Sequence, residues 1–151
     1  MSEDYCFVLG CLMAAPKVAY VDQVVYLVRR EGGSATQRYM PALERSMDYV
    51  NGVLRQECEG DSALMSSWWE CVGNTAWAAC GTLFKEGTPY DAAGRRREVG
   101  RVMRKYREAI GHVRLGGGLG RGKALALKVG AAWPWLLWAA LEVRSGRSGV
   151  R

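Results

Sequence analysis

Apolar residues recur along most of this chain at the three- and four-residue spacing of amphipathic α-helices. Residues 41–57 give the clearest stripe, and residues 62–85 form a more apolar second helix. Thr88, Pro89 and Asp91 supply a cap, a first-turn proline and an acid for a third helix. The stripe of the first helix consists of Leu43, Met47, Val50 and Leu54. The region after residue 40 is therefore predicted to be helical.

The first forty residues follow a different pattern. Ser2 can cap a helix over residues 5–15, which is apolar nearly all round and must be covered on most sides. Residues 17–30 are rich in Val and Tyr and predict one or two short strands. Because two short strands cannot form a stable sheet alone, they are expected to be edge pieces of a sheet supplied elsewhere. The predicted fold is mainly α with a short β-hairpin or strand pair.

Glycines divide the helical part. Residues 116–122, GGGLGRG, predict a flexible hinge. The overlapping stretch GGLGRGK fits the first part of a nucleoside-triphosphate loop, but Ala124 stands where Ser or Thr must hold magnesium, which favours the hinge. We therefore divide the chain into an incomplete domain edge (1–40), a helical extension (41–115), the hinge (116–122) and an amphipathic, basic and Trp-rich tail (123–151).

The charge is +6 and uneven, with seven Arg or Lys against one Glu in residues 95–107. That block is either a solvated helix face or a surface for anionic phospholipid or nucleic acid. The neighbouring WPWLLW motif of residues 133–138 favours phospholipid, because indoles prefer the headgroup boundary. Since Lys128 and Pro134 interrupt the tail, we expect it to lie along a membrane or to pack on the other helices, not to span.

Cysteine and histidine usage narrows the chemistry. The five cysteines show no C-x-x-C spacing, which is typical of reduced thiols in a cytosolic protein. One histidine, His112, excludes a metal site with two His ligands. No metal site is predicted in this chain.

Residues 2–36 resemble the end of the catalytic domain of glycosyltransferase family 2, bacterial inverting enzymes of the GT-A fold. The family pattern is an E-D pair opening a helix, a K-V-x-Y-V-D strand, a Y-x-Y-R segment, then a glycine and S-x-T. The matches are Glu3, Asp4, Phe7, Lys17, Val18, Tyr20, Val21, Asp22, Tyr26, Arg29, Gly33, Ser34 and Thr36. Val28 departs from the pattern, because the family has an aromatic residue there.

The resemblance implies specific roles. Asp4 corresponds to the general base that takes the proton from an acceptor hydroxyl as it attacks a nucleotide-sugar, with Glu3 as its companion. Arg29, Ser34 and Thr36 are expected to bind substrate. Considered without the family, Glu3 and Asp4 are simply favourable charges at a helix N-terminus.

The resemblance also shows what is missing. The intact enzyme implies a divalent metal (Mg or Mn) held by a D-x-D motif and a nucleotide-sugar bound by a βαβ half, and the chain contains neither motif. We therefore expect a C-terminal fragment that is inactive alone and needs an N-terminal catalytic half or another subunit. It would be cytoplasmic and peripheral to the inner face of the cell membrane. The alternative is a non-enzymatic basic helical module that docks on a membrane or a partner protein; no nucleic acid is expected as a partner.

Overall fold

The computed structural model describes residues 38–148 and, upstream of them, Val8, Cys11 and residues 14–19. Within the described residues there are six named helices and no strand. They are α1 (Leu43–Cys58), α2 (Ser62–Thr82), α3 (Ala92–Lys105), α4 (Arg107–His112), α5 (Arg121–Ala132) and α6 (Pro134–Ser148). The mainly helical prediction is confirmed, and the predicted strand pair lies largely outside the described residues.

Two aspartates cap the N-terminal ends of α2 and α3. The Asp61 carboxylate accepts from the amides of Ala63 and Leu64 at 2.8 and 3.0 Å, which starts α2. At α3 the Asp91 carboxylate accepts from the Gly94 amide at 2.6 Å. The sequence pattern assigned the cap to Thr88, but Asp91 is the cap, so the helix begins three residues later.

The third predicted helix is two helices. Tyr106 ends α3 with φ −99° and ψ 14°, and α4 begins at Arg107. The Tyr106 ring is buried, and its hydroxyl donates to the Asp48 carboxylate at 2.6 Å. The helical stripe in the sequence continues across this position, so nothing local marked the break.

The core is built around α2, which contacts α1, α3, α4 and α5, while α6 packs on α3 and α5. The largest fully buried side chains of the core come from α2, α3, α4, the α4–α5 loop and α5: Thr75, Cys80, Val99, Val102, Met103, Ile110, Val113 and Leu127. The tail is part of this core, because Leu127 and Leu137 are buried in it. Packing of the tail on the other helices, one of the two expected arrangements, is what the structure shows for its inner face.

Upstream of α1, a short segment is fixed to the end of α2. Arg38 forms an isolated parallel bridge with Glu86, and the Tyr39 amide donates to the Glu86 carbonyl at 2.8 Å. The Met40 amide donates to the Thr82 hydroxyl at 3.1 Å. These bonds place the start of the described helical region against the α2–α3 connection.

Candidate functional site

The residues that the sequence singled out for chemistry cannot be placed. Glu3 and Asp4, the predicted catalytic pair, lie outside the described residues, and so do Arg29, Ser34 and Thr36. Among the upstream residues that are described, Val8, Cys11 and Ala14 are helical and exposed. The catalytic and substrate-binding assignments therefore stay predictions.

Two cations of the basic block of residues 95–107 form ion pairs within the protein. Arg101 donates from Nη1 and Nη2 to both Glu44 carboxylate oxygens at 3.0 and 2.6 Å, and from Nε to Glu98 at 2.7 Å. Lys105 donates to Glu44 at 2.7 Å and to Asp48 at 2.6 Å. We call this set the α1–α3 charge network. Its cations are turned toward α1 rather than toward a ligand surface.

The network perturbs its own titratable groups. The Arg101 guanidinium, by donating to the Glu44 carboxylate, holds the pKa of Glu44 at about 2, below its ordinary 4.5. Burial raises the pKa of Tyr106, and the hydrogen bond to Asp48 acts in the same direction. Each charged group has an opposite charge within hydrogen-bond distance, so the arrangement is structural.

The other arginines of the block differ in their surroundings. Arg95 donates to both oxygens of Glu142, with its Nε 3.2 Å and its Nη2 2.5 Å away, which ties α3 to α6. Arg96 is exposed and lies with its guanidinium carbon 5.9 Å from the Trp138 ring centroid. Arg97, Arg104 and Arg107 are exposed. A basic surface therefore remains, but it is smaller than the sequence indicates.

The tail has two apolar faces, of which only one is covered. The inner face of α6 buries Leu137 and Leu141 at 3% and 8% exposure. A second face, which we call the outer face, exposes Leu136 at 36% and Val143 at 57%, together with Ala140. The first two turns of α6 therefore carry apolar residues both toward the core and toward solvent.

The uncovered surface continues through the connection between α5 and α6 and onto α5. Trp133 and Trp135, which flank Pro134, are 56% and 51% exposed, and Leu125 on α5 is 56% exposed. We call the exposed residues Leu125, Ala132, Trp133, Trp135, Leu136, Ala140 and Val143 the tail surface. Exposed large apolar residues gathered around one connection are typical of an interaction site.

Both charges within residues 124–143 point toward the body of the protein. The Lys128 ammonium donates to the carbonyls of Ile110 and Gly111 at 3.3 and 3.1 Å, at the C-terminal end of α4. The other charge, Glu142, is bound to Arg95. No charged side chain of this stretch therefore interrupts the tail surface. This orientation could not be predicted from local sequence, because the partners of both charges are distant along the chain.

The glycine-rich loop holds a carboxylate from its own chain. The Gly118 amide donates to Glu70 at 2.5 Å, and Arg114 lies 3.6 Å from the same carboxylate. A Cβ on Gly117 would collide with this carboxylate, so the glycine permits the close approach. A phosphate at this loop would meet the negative charge of Glu70, which agrees with the interpretation that the loop is not a nucleotide site.

The tryptophans of α2 are not free stacking platforms. Trp68 is buried, and its Nε1 donates to the Asn51 carbonyl at 2.7 Å. Trp69 stacks on His112 with ring centroids 4.4 Å apart and an interplanar angle of 15°.

Among the described residues, no group of three or more His, Cys, Asp or Glu could hold a metal ion. In that same part of the chain, no helix combines the length and the apolar character needed to cross a membrane.

In comparisons with known proteins, no family model matches this chain, and no curated protein or solved structure shows significant similarity to it. The likeness of residues 2–36 to family 2 glycosyltransferases thus gains no support from these comparisons. Among the described residues, the tail surface is the strongest candidate for a functional site.

Proposed function

We propose that the helical region docks on an anionic membrane surface through the tail surface. The observation that carries the proposal is an apolar surface from Leu125 to Val143 with no outward charge, since Lys128 and Glu142 are both held by the body of the protein. Lipid acyl chains can cover such a surface without requiring hydrogen bonds from it. Covering it would remove exposed apolar area from water, which is favourable by about 25 cal/mol per Å².

Charge supports lipid over a neutral apolar partner. The chain carries a net charge of +6, and Arg121 and Lys123 precede the tail surface while Arg144 follows it. All three are exposed. Each Lys or Arg near an anionic leaflet contributes about 1 kcal/mol. Apolar residues flanked by cations are the composition of helices that bind at the headgroup boundary.

Vesicle flotation tests the proposal. The purified chain is expected to float with vesicles of phosphatidylcholine and phosphatidylserine and to remain behind with phosphatidylcholine alone. Leu136→Glu should abolish flotation, because it places a carboxylate in the middle of the tail surface. Leu64→Glu is the matched control, since Leu64 is similarly exposed at 48% but lies at the start of α2. Equal flotation of the two variants would contradict the proposal, provided that both retain the wild-type helical circular dichroism.

A second candidate function is the one implied by the glycosyltransferase resemblance. Its specific support is that Val8 and Val18, inside the resembling stretch, are 52% and 69% exposed. These apolar side chains are open to a catalytic half carried by other polypeptide. On this proposal the helical region is a membrane-binding extension of an inverting enzyme that transfers sugar to a glycan or lipid-linked acceptor.

The metal and nucleotide of such an enzyme do not fit the residues described. No D-x-D occurs in the sequence, and the described part of the chain contains no metal-ligand cluster. On this candidate, the metal and the nucleotide-sugar are bound by a strand-rich segment of other polypeptide that contains D-x-D. Combined with that segment, the chain should transfer sugar, and Asp4→Asn should lower turnover about 10²- to 10⁴-fold. Unchanged turnover in Asp4→Asn, or turnover by the isolated chain, would contradict this candidate.

A further inference from the structure

We infer that the corner between α5 and α6, residues 132–136, is the part of the tail surface that enters the bilayer below the headgroups. The inference rests on the proposed membrane docking and adds its mode. From the sequence, the tail was expected to lie along a membrane or to pack on the other helices, with Pro134 interrupting it. The structure has two helices that meet at Trp133 and Pro134.

The corner is where exposed apolar residues are most concentrated. Ala132, Trp133, Trp135 and Leu136 are all exposed within five consecutive positions. Away from the corner the large exposed residues are widely spaced, with Leu125 on α5 and Val143 on α6. Because the free energy of burial scales with apolar area, the corner gains most from entering the acyl region.

Backbone geometry separates the side chains at the corner. Trp133 ends α5 with φ −133° and ψ 81°, and Pro134 begins α6, where its missing amide hydrogen costs nothing. Leu137 then turns inward and fills the space above Gly130, where a Cβ would lie only 2.7 Å from a Leu137 methyl group. Because Leu137 packs in the core, Trp133 and Trp135 lie on the exposed side of the corner. Their exposure is set by the fold and does not depend on lipid.

The cations lie at the far ends of the two helices. At 1.5 Å per residue, Arg121 is about 18 Å from Trp133 along α5, and Arg144 is about 14 Å from Trp135 along α6. When the corner points into the membrane, both ends are held at or above the headgroup level, where cations meet lipid phosphate. Indoles prefer the boundary between headgroup and acyl chain, so Trp133 and Trp135 are placed at a depth that suits them.

Quenching of tryptophan fluorescence by brominated lipids tests the inference on the intact chain. In anionic vesicles brominated near the top of the acyl chain, the double variant Trp133→Phe/Trp135→Phe should lose more than half of the quenching seen in the wild type. Trp69→Phe is the control, because Trp69 stacks on His112 and is not part of the tail surface, so its replacement should leave the quenching unchanged. Flotation is measured on the same samples.

The outcomes separate the inference from the proposal on which it rests. A double variant that floats and is quenched like the wild type would overturn the insertion of the corner but leave the proposed membrane docking intact. A wild-type chain that does not float would overturn both. A stable dimer in sedimentation that Leu136→Glu dissociates would also overturn the inference, since a second copy would then cover the surface.

Neutralising the cations at one end gives an independent measurement. Arg121→Gln and Lys123→Gln should each weaken binding to anionic vesicles about fivefold, with a smaller dependence on salt. Arg45→Gln removes the same charge from α1 and should have little effect, because Arg45 is exposed on a helix that packs on α2. Equal weakening by all three variants would indicate attraction by net charge alone and would contradict this orientation.

Discussion

The α1–α3 charge network and the tail surface are the two most strongly patterned regions of this protein, and they are opposites. In the first, charges that a sequence would place in solvent are paired with one another: Glu44 with Arg101, and Asp48 with Lys105. In the second, residues that a sequence would place in a core are in solvent: Trp133 and Trp135 are each more than half exposed. A charge run is therefore not by itself a binding surface, and an apolar run is not by itself a core.

The difference has a physical cause. Charged side chains find partners wherever two helices lie side by side, and the pairing satisfies their hydrogen bonds. An apolar face has no internal substitute for burial, so it stays exposed unless another surface covers it. The tail surface is thus apolar area that only contact with another surface can remove from water. The charge network, in contrast, is already paired within the protein.

The largest expected effect sharpens the contrast within α5 itself. Leu127 is fully buried, whereas Leu125 is 56% exposed on the same helix. Leu127→Ala should lower the free energy of unfolding by about 2–5 kcal/mol, because it leaves a cavity in the core. Leu125→Ala should change it by less than about 0.5 kcal/mol. Urea unfolding measures both, and similar values would mean that the two faces of α5 are not distinct.

The next largest effect is expected at Tyr106, which lies between α3 and α4 and contacts the charge network. Tyr106→Phe removes the hydroxyl that donates to Asp48 at 2.6 Å while keeping the buried ring. Loss of a hydrogen bond to a charged group should cost about 1.5–3 kcal/mol of unfolding free energy. In thermal or urea unfolding, a neutral result would show that Asp48 is satisfied by Lys105 alone.

Acid should weaken the network. Glu44 is ionised in the folded protein down to a pKa of about 2, against an ordinary 4.5, so its contribution is complete above pH 4.5 and is lost as the pH falls toward 2. The stability difference between wild type and Glu44→Gln should therefore shrink over this interval. The effect is smaller than that of Tyr106→Phe, because Arg101 is 44% exposed and solvent screens the pair. A difference independent of pH would exclude the network as its source.

The smallest effect is expected at a charge pair outside the network. Arg55 in the last turn of α1 and Glu59, the residue directly after α1, form an exposed ion pair with Nε and Oε1 separated by 3.5 Å. Glu59→Gln should change the unfolding free energy by less than about 0.5 kcal/mol. A larger loss would mean that exposed ion pairs in this protein stabilise the fold as much as the pairs of the α1–α3 charge network do.

Much of the fold could be predicted from periodicity. The stripe of Leu43, Met47, Val50 and Leu54 located α1 to within two residues at its start, and Pro134 correctly divided the tail. The break at Tyr106 could not be predicted, because it accompanies a hydrogen bond to Asp48, which is distant along the chain. For the candidate site, the sequence identified the Trp-rich tail as a possible membrane-binding segment. It did not predict which side chains of the tail face the core and which face solvent.

The sequence by itself determined that the chain after residue 40 is mainly helical with a glycine-rich break at 116–122, that the tail is amphipathic and Trp-rich, and that cations border it. It determined these things because helix spacing, prolines and capping acids act over a few residues. Only the tertiary structure decided that Arg101 and Lys105 are used internally, that Lys128 and Glu142 turn away from the tail surface, and that Trp133 and Trp135 stay outside. Those outcomes depend on partners tens of residues away, and local pattern carries no information about them.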